Sequence, residues 1–556
     1  MILSGADIIV KTLIEQGVDT VFGYPGGQII DVYDSLYKYR DEINHILTAH
    51  EQGAVHAADG YARTTGKTGV VISTSGPGAT NLVTGIATAH LDSVPVVAIC
   101  GNVNSKQLGT DSFQEIDITG ITLPITKHNY IVGNVEDLAD TIREAFRLAK
   151  SGRPGPVLID VPKDIQIAFC NYEPEAPYPE PEKRISKKIE SAMECISDSK
   201  RPYIYFGGGA VSSDAQEEIL KLAELIDAPI GCSLMGLSAI PTNHPRFLGM
   251  QGMHGKYASS MAMHNSDCII ALGVRFSDRA TGNKNKFATT ANIIHVDVDG
   301  AEFSKTVKPA YSLRGDVKLT VKKMLTLLNK QERPDWSEEI KKFRQTEFEN
   351  RDTRDGLTPY NILNLLNTYT KDSTPIVTDV GQHQMWTAQY AEFRSPRRFV
   401  SSGGLGTMGF GMGASIGAQM GTGERTVLVT GDGSFKMSLN ELSTAVSNKT
   451  PIVILIFNNG VLGMVRQWQT FFYEKHYSCT TLEQQTDFIA VAKAFGADGV
   501  KVSSLDELTK AFDKAFSANG PFVIDCLTDK DELVLPMMPP DGSMSDIIVK
   551  VGEENA

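Results

Sequence analysis

The sequence predicts an α/β protein made of doubly wound parallel sheets, and three observations carry that expectation. Short, apolar, β-branched runs recur along the whole chain, too brief and too apolar on both faces for anything but strands covered by helices. Amphipathic stretches such as Val135–Lys150 and Ala215–Ile226 alternate with them, as right-handed strand–helix–strand crossovers require. Glycine, 50 of 556 residues, lies above the ordinary share of about 7% and gathers in turns where a strand feeds a helix.

In chain order the candidate strands are 69–73, 94–100, 157–161, 203–206, 268–272, 293–298, 376–379, 426–430, 452–457 and 522–526. Two stretches read as linkers. Residues 171–184 (NYEPEAPYPEPEKR) are too polar and Pro-rich to pack, and 331–337 (QERPDWS) form a weaker break before a charged helix reaching about Arg354. They divide the chain into 1–170, 185–330 and 355–556. The first and third pieces each carry a Gly-rich turn feeding a helix, so they are expected to be related domains around a middle one.

Composition narrows the function classes. Hydrophobic residues at 41% and charged residues at 21% are those of a globular chain. Lys and Arg total 53 against 66 Asp and Glu, a net charge of −13, which argues against nucleic acid as the main partner. No apolar run reaches the roughly 18 residues a membrane span needs. Met1–Leu13 lacks a basic stretch, and Asp7 interrupts its apolar part, so it does not read as a secretory leader. Seven cysteines stand singly, without a CxxC pair, and are expected to be buried, reduced thiols of a cytoplasmic protein.

The most informative segment is 427–460. An apolar strand runs into Gly431-Asp432-Gly433-Ser434, and a second ends at Asn458-Asn459. In a parallel sheet both loops emerge at the carboxyl edge, where ligands bind. Asp432 and Asn459 offer hard oxygens of the kind Mg²⁺ takes beside phosphate oxygens and water, and the helix after Ser434 adds amides and a favourable dipole. A GDG triplet alone is weak. With NN after the next strand, 27 residues from Asp432 to Asn459, the pattern resembles the thiamine-diphosphate enzymes.

That resemblance implies three doubly wound domains of the thiamine-diphosphate-enzyme type: an N-terminal pyrimidine-binding domain, a central one and a C-terminal diphosphate/Mg²⁺ domain. It makes Asp432 and Asn459 metal ligands, with Val461 contributing only its carbonyl. Gly431, Gly433 and Ser434 would approach the diphosphate. Met408 would prop the cofactor in its bent shape, with Val380, Gly381, Gln382, His383, Gly406 and Met464 around it. Glu51, in TAHEQGAVHAADGYAR, reads on its own as a helix-start carboxylate stabilised by the dipole. The resemblance makes it the acid that activates the cofactor, facing the diphosphate site of another subunit, so a homodimer at least is implied.

Three further segments, 22–27 (FGYPGG), 112–115 (SFQE) and 463–469 (GMVRQWQ), resemble the acetohydroxyacid synthase catalytic subunits. The likeness covers the whole chain, including STSGPGATNL, GMQGMHG, GVRFSDR and the LPMMPP tail. It implies decarboxylation of pyruvate and transfer of the hydroxyethyl carbanion to a second pyruvate or to 2-oxobutyrate. Gln114 would lie beside the reacting centre, and Trp468 would shape the acceptor pocket. Arg275 would hold the acceptor carboxylate in a planar, two-pronged contact. Gly27, Phe113, Met250 and Val465 would contact substrate or its channel, with Lys127 nearby.

Biosynthetic members also carry FAD, without net redox use. Gly207, Gly208, Gly209, Met253, His254, Gly255, Arg275, Asp297 and Asp316 match flavin positions, and the amides of 207–209 are expected to hold its pyrophosphate. Gln251 stands where leucine is expected, and GMGASIGA where GLPAAIGA is usual. A small regulatory subunit and assembly to a dimer or tetramer belong to the same resemblance. The alternatives are a catabolic synthase without FAD, a simple 2-ketoacid decarboxylase and a non-catalytic subunit. SFQE, RFSDR and RQWQ favour the biosynthetic form.

Overall fold

The computed structural model describes residues 1–179, 182–186, 189–483 and 486–550. It contains three six-stranded sheets, and every neighbouring pair within them runs parallel. The first orders its strands Asn44–Leu47, Thr20–Tyr24, Gly69–Ser73, Val96–Asn102, Val157–Pro162 and His128–Ile131. The third orders them Phe399–Val400, Ile376–Thr378, Thr426–Gly431, Ile452–Asn458, Phe522–Leu527 and Asp498–Val502. Numbered within each sheet by chain order, both read 2-1-3-4-6-5, so the shared plan expected of the two outer pieces is present strand for strand.

The middle sheet differs. Its order is Phe247–Met250, Ile230–Cys232, Pro202–Phe206, Cys268–Leu272, Asn292–Asp297 and Tyr311–Arg314, or 3-2-1-4-5-6, the order of dinucleotide-binding sheets. The order reverses beside the first strand of each sheet, and again at the far edge of the two outer ones; at the switch point beside the first strand two strand ends diverge and leave a crevice. In the middle sheet the crevice opens between Phe206 and Leu272; in the third it opens between Thr378 and Gly431.

The outer domains meet along two helices, Glu51–Thr65 and Phe410–Thr422. Their approach is close enough to require glycine: a Cβ on Gly60 would stand 2.2 Å from the Ala414 carbonyl oxygen, and one on Gly417 only 1.8 Å from that of Ala57. His50 caps the first helix, its ring accepting the Gln52 N–H at 3.0 Å, and Gly66 ends it at φ +74°. Glu51 is thereby fixed on the first turn.

One expected linker proves to be structure. Residues 331–337 clasp the middle domain: Arg333 donates to the carbonyls of Ile196 and Ser199 at 3.0 Å each, and buried Trp336 donates to Pro202 O at 3.0 Å. The charged helix starts inside this stretch, at Pro334, and packs Ile340 into the same core. In the other linker, Asn171 still pairs with Ile2 in a small antiparallel ribbon and Tyr172 is buried. Residues 180 and 181 lie outside the described part. All seven cysteines are unpaired, but Cys479 is exposed and Cys170 and Cys195 are half-buried, so burial is not general. No helix among the described residues is long and apolar enough to cross a membrane.

Candidate active site

A cavity of about 1430 Å³ lies where the three domains meet. This exceeds the usual few hundred to 1,000 Å³ of a single small-ligand site. Its walls come from the carboxyl ends of the middle-sheet strands, from 380–385, 402–408 and 464–468 of the C-terminal domain, and from the 91–93 and 147–154 turns of the N-terminal domain. Nine Arg and Lys residues line it against six Asp and Glu, so a chain of net charge −13 is locally cationic here.

At the switch point of the third sheet, Gly431 and Asp432 face the turn Asp379–His383. Asp432 is buried; its Oδ2 accepts the Gly460 N–H at 3.1 Å, and burial pushes its carboxyl up to about 6. Asn459 Oδ1 accepts the Val461 N–H at 3.1 Å, while its Nδ2 faces Gln382 Oε1 at 3.4 Å. Gln382 is otherwise engaged inside the protein, donating to Gln467 Oε1 at 3.1 Å and Glu532 O at 2.7 Å. His383 packs behind Gly431, where a Cβ would meet its Nδ1 at 3.0 Å. Burial pushes His383 down to about 3, so it is neutral, and its buried Nε2 has no partner. Among the described residues no group of three or more His, Cys, Asp and Glu could hold a metal. A carboxylate, an amide oxygen and a backbone carbonyl beside a glycine cradle and an unpaired imidazole nitrogen nevertheless fit Mg²⁺ carried with a diphosphate.

The loop bearing Gly406 and Met408 is clasped from two sides. Asp379 accepts the amides of Gly409 at 2.9 Å and Gly411 at 3.0 Å. From the N-terminal domain, Asp92 accepts those of Gly403 at 3.1 Å and Gly404 at 2.7 Å. Arg63 pairs with Asp92 at 2.9 Å and donates to Ser401 O at 3.0 Å. Met408 and Gly406 line the cavity, as do Val380, Gly381, Met464, Val465, Met250 and Trp468. Gln382, His383, Asn459, Val461 and the turn Gly431–Ser434 stand behind that wall.

The middle domain requires a correction. The amide of Gly207 donates to Leu272 O at 3.1 Å and that of Gly209 to Gly273 O at 2.9 Å, so neither can receive a pyrophosphate. These glycines serve packing: a Cβ on Gly209 would meet Gly273 Cα at 2.7 Å. Gly208 and Gly209, in the first turn of the following helix, both line the cavity, but of the three glycines only Gly208 has an amide not committed to Leu272 or Gly273. Met253, His254, Arg275, Asp297 and Asp316 line the cavity, whereas Gly207 and Gly255 do not. The Arg275 guanidinium has no hydrogen-bond or ion-pair partner among the described residues, and burial pushes its pKa down, with the Arg153 charge adding to the shift. Burial likewise pushes Asp297 up to about 6 and His254 down to about 4. Asp316 caps the helix Val317–Leu327 through the Leu319 N–H at 3.0 Å.

The remaining expected residues gather elsewhere. Glu51 Oε2 accepts Asn81 Nδ2 at 2.9 Å, and its Oε1 stands 3.2 Å from where a Cβ on Gly78 would be. A Cβ on Gly76 would meet Gln114 O at 2.8 Å, and one on Gly26, beside Gly27, would meet Thr74 Cβ at 2.6 Å. Gly27, Glu51 and Gln114 thus surround the turn 74–78 at the switch point of the first sheet, with Phe113 83% exposed beside them. None of them lines the cavity of its own chain. Lys127 does not itself line the cavity but braces the 147–154 turn that does. Its Nζ donates to Leu148 O and, at 2.6 Å, to Ser151 O, ending the helix Leu138–Lys150.

Three family models match in register with the three domains: the N-terminal thiamine-pyrophosphate binding domain over 3–121, the central domain over 189–324 and the C-terminal thiamine-pyrophosphate binding domain over 379–526. The acetolactate synthase large subunit of Buchnera aphidicola from Schizaphis graminum is 43% identical, covering 99% of each chain. The isozyme 3 and isozyme 2 large subunits of Escherichia coli K12 are each 42% identical, over 98% of both chains and over 99% and 100% respectively. The chain belongs to the acetolactate synthase large-subunit family of thiamine-pyrophosphate enzymes. Within that family frame the sequence reading missed the Arg63–Asp92 clasp. An aspartate ending one helix carries no signal that it will cap a loop more than three hundred residues away.

Proposed function

We propose that this acetolactate synthase catalytic subunit joins two 2-ketoacids in an active site shared between two copies of the chain. Thiamine diphosphate, when bound, supplies a thiazolium that accepts the electron pair left as CO₂ departs from pyruvate. The observation that carries the reading is a split. The Gly27–Glu51–Gln114 face and the Met408–Arg275–Trp468 cavity are each incomplete within one protomer, and each supplies what the other lacks. Apolar side chains lie exposed on both parts, Tyr24, Ile30 and Phe113 on the first and Leu405, Met437 and Val465 on the second, in keeping with a homodimer or a tetramer built from it.

Asp432, Asn459 and the Val461 carbonyl would hold Mg²⁺ and through it the diphosphate, with Gly431, Gly433, Ser434 and His383 beside them. Glu51 keeps one oxygen on Asn81 and leaves Oε1 to hold and exchange a proton with a bound ring nitrogen. Arg275, lacking an internal partner, is free to pair with the carboxylate of the acceptor, pyruvate or 2-oxobutyrate. Trp468, with Arg279 stacked 5.7 Å from its ring, limits acceptor size, while Met250, Met464 and Val465 exclude water from the reacting carbon. FAD is read as the further occupant of the same cavity, without a redox step; the dinucleotide strand order and the cationic walls support that reading. The unpaired thiols suit the cytoplasm, and the "large subunit" names of the relatives support a smaller regulatory partner.

The test is titration of the purified chain with thiamine diphosphate and Mg²⁺ in the presence of pyruvate. Acetolactate and CO₂ are expected, with 2-aceto-2-hydroxybutyrate when 2-oxobutyrate competes. Acetaldehyde as the main product would reduce the chain to a decarboxylase.

A further inference from the structure

The cavity wall holds a polar side chain that the protein itself does not satisfy. Gln251 follows the strand Phe247–Met250, is 3% exposed and lines the cavity, yet neither its Oε1 nor its Nε2 has a hydrogen-bond partner. Its backbone is fixed: the amide donates to Cys232 O at 2.9 Å, and Gly252 turns the chain at φ +119° immediately after it. The neighbouring polar group is the buried phenol of Tyr205, close enough to feel the Gln251 side chain but without a hydrogen bond of ordinary geometry to it. One hydroxyl can donate to Oε1 or accept from Nε2, so at least one amide atom stays unmet even if the two side chains turn toward each other. A buried amide without partners is costly, and a leucine of nearly the same volume would avoid that cost entirely.

We propose that the Gln251 amide is a hydrogen-bonding contact for the planar heterocycle of the dinucleotide bound in this cavity. The inference rests on the FAD reading above and deepens it. A primary amide presents a donor and an acceptor side by side, matching the edge of a ring that carries an adjacent carbonyl and N–H or an amino group and ring nitrogen. Both rings of FAD have such an edge. The surroundings suit a flat, largely apolar ring: Met250 and Met253 flank Gln251 in sequence, and Leu234, Met235 and Phe276 share the wall.

The experiment compares the full-length wild-type chain with Gln251→Leu, using FAD and FMN as probes and following binding by flavin fluorescence and visible absorbance. Gln251→Leu is expected to weaken FAD about fivefold, the value of one hydrogen bond, while the apoprotein melts no lower than wild type because an unmet amide has gone. If the contact is to the flavin ring, FMN shows the same loss and the absorbance bands shift. If it is to adenine, FMN binds both proteins alike and the FAD spectrum is unchanged. Equal FAD affinity together with an identical spectrum would overturn the proposal while leaving the FAD reading intact. A wild-type chain that binds no flavin at all would overturn both. Tyr205→Phe separates a purely internal role: an internal Gln251–Tyr205 bond predicts that both variants lose stability and neither alters flavin binding.

Discussion

The Gly-rich turns after Phe206 and after Thr430 look alike in sequence, each closing an apolar strand and opening a helix, but the molecule uses them differently. In the middle domain the glycines let two strand ends touch, and the amides of Gly207 and Gly209 are consumed by Leu272 and Gly273. In the C-terminal domain Gly431 stands against a neutral, half-unpaired histidine, and the amide of Gly460 anchors a buried carboxylate. A run of glycines therefore announces close approach without saying what approaches. Following each amide to its acceptor decides between packing and a ligand.

If the C-terminal turn serves chemistry, its loss should remove activity and leave folding intact, and this is the largest effect expected. Asp432→Ala and Glu51→Gln should each lower kcat by about 10²- to 10⁴-fold with little change in melting temperature. Since the two residues are proposed to meet across subunits, co-refolding the two inactive variants should restore about a quarter of the wild-type activity, because half of a random set of dimers carries one native site. Mixtures as inactive as either parent would return both residues to a single chain's site.

The middle turn should show the opposite pattern. Gly209→Ala drives a Cβ into the Gly273 backbone and should cost about 1–3 kcal/mol in denaturant unfolding. Gly208→Ala meets only Met235, its Cβ at 3.4 Å and its carbonyl oxygen at 3.7 Å, and should be neutral or stabilise by up to about 1 kcal/mol, since alanine narrows the unfolded ensemble. A Gly209→Ala protein of wild-type stability that has lost flavin affinity would restore the pyrophosphate-cradle reading.

What was legible in the sequence follows from the same distinction. Each of the ten buried strands read from β-branched runs is present, because a strand covered on both faces must be apolar throughout. The strands that escaped are mostly edges such as Asn44–Leu47, His128–Ile131 and Asp498–Val502, half-exposed and polar, or contain glycine, such as Thr20–Tyr24. The clasp at 331–337 was misread because Pro and charge look like linker until Trp336 finds the Pro202 carbonyl. Motif spacing located Asp432 and Asn459, which lie within one motif. It could not separate Glu51 and Gln114 from the cavity, since that depends on how whole domains pack.

The smallest effect concerns the histidine behind each turn. His383 backs Gly431 with its Nε2 unpaired, whereas His295 donates Nε2–H to the Val274 carbonyl at 3.0 Å, behind the residue on which Gly207 packs. Burial holds both below the ordinary histidine range, His383 at about 3. Between that value and about 6.5 the unfolded chain binds a proton that the folded one refuses, so stability is full above pH 6.5 and falls with acidification. For His383 alone the loss should reach roughly 1 kcal/mol by pH 5.5 in the ligand-free protein. His383→Gln should flatten the stability–pH curve by that amount, measured by urea unfolding at pH 7.5 and 5.5. His295→Gln should flatten it too, but with a lower plateau at both pH values, because it also loosens the Val274 contact that the middle turn leans on. Parallel curves for wild type and His383→Gln would mean that the imidazole behind Gly431 takes up its proton as readily in the folded chain as in the unfolded one, and would overturn the desolvated, neutral histidine at this turn.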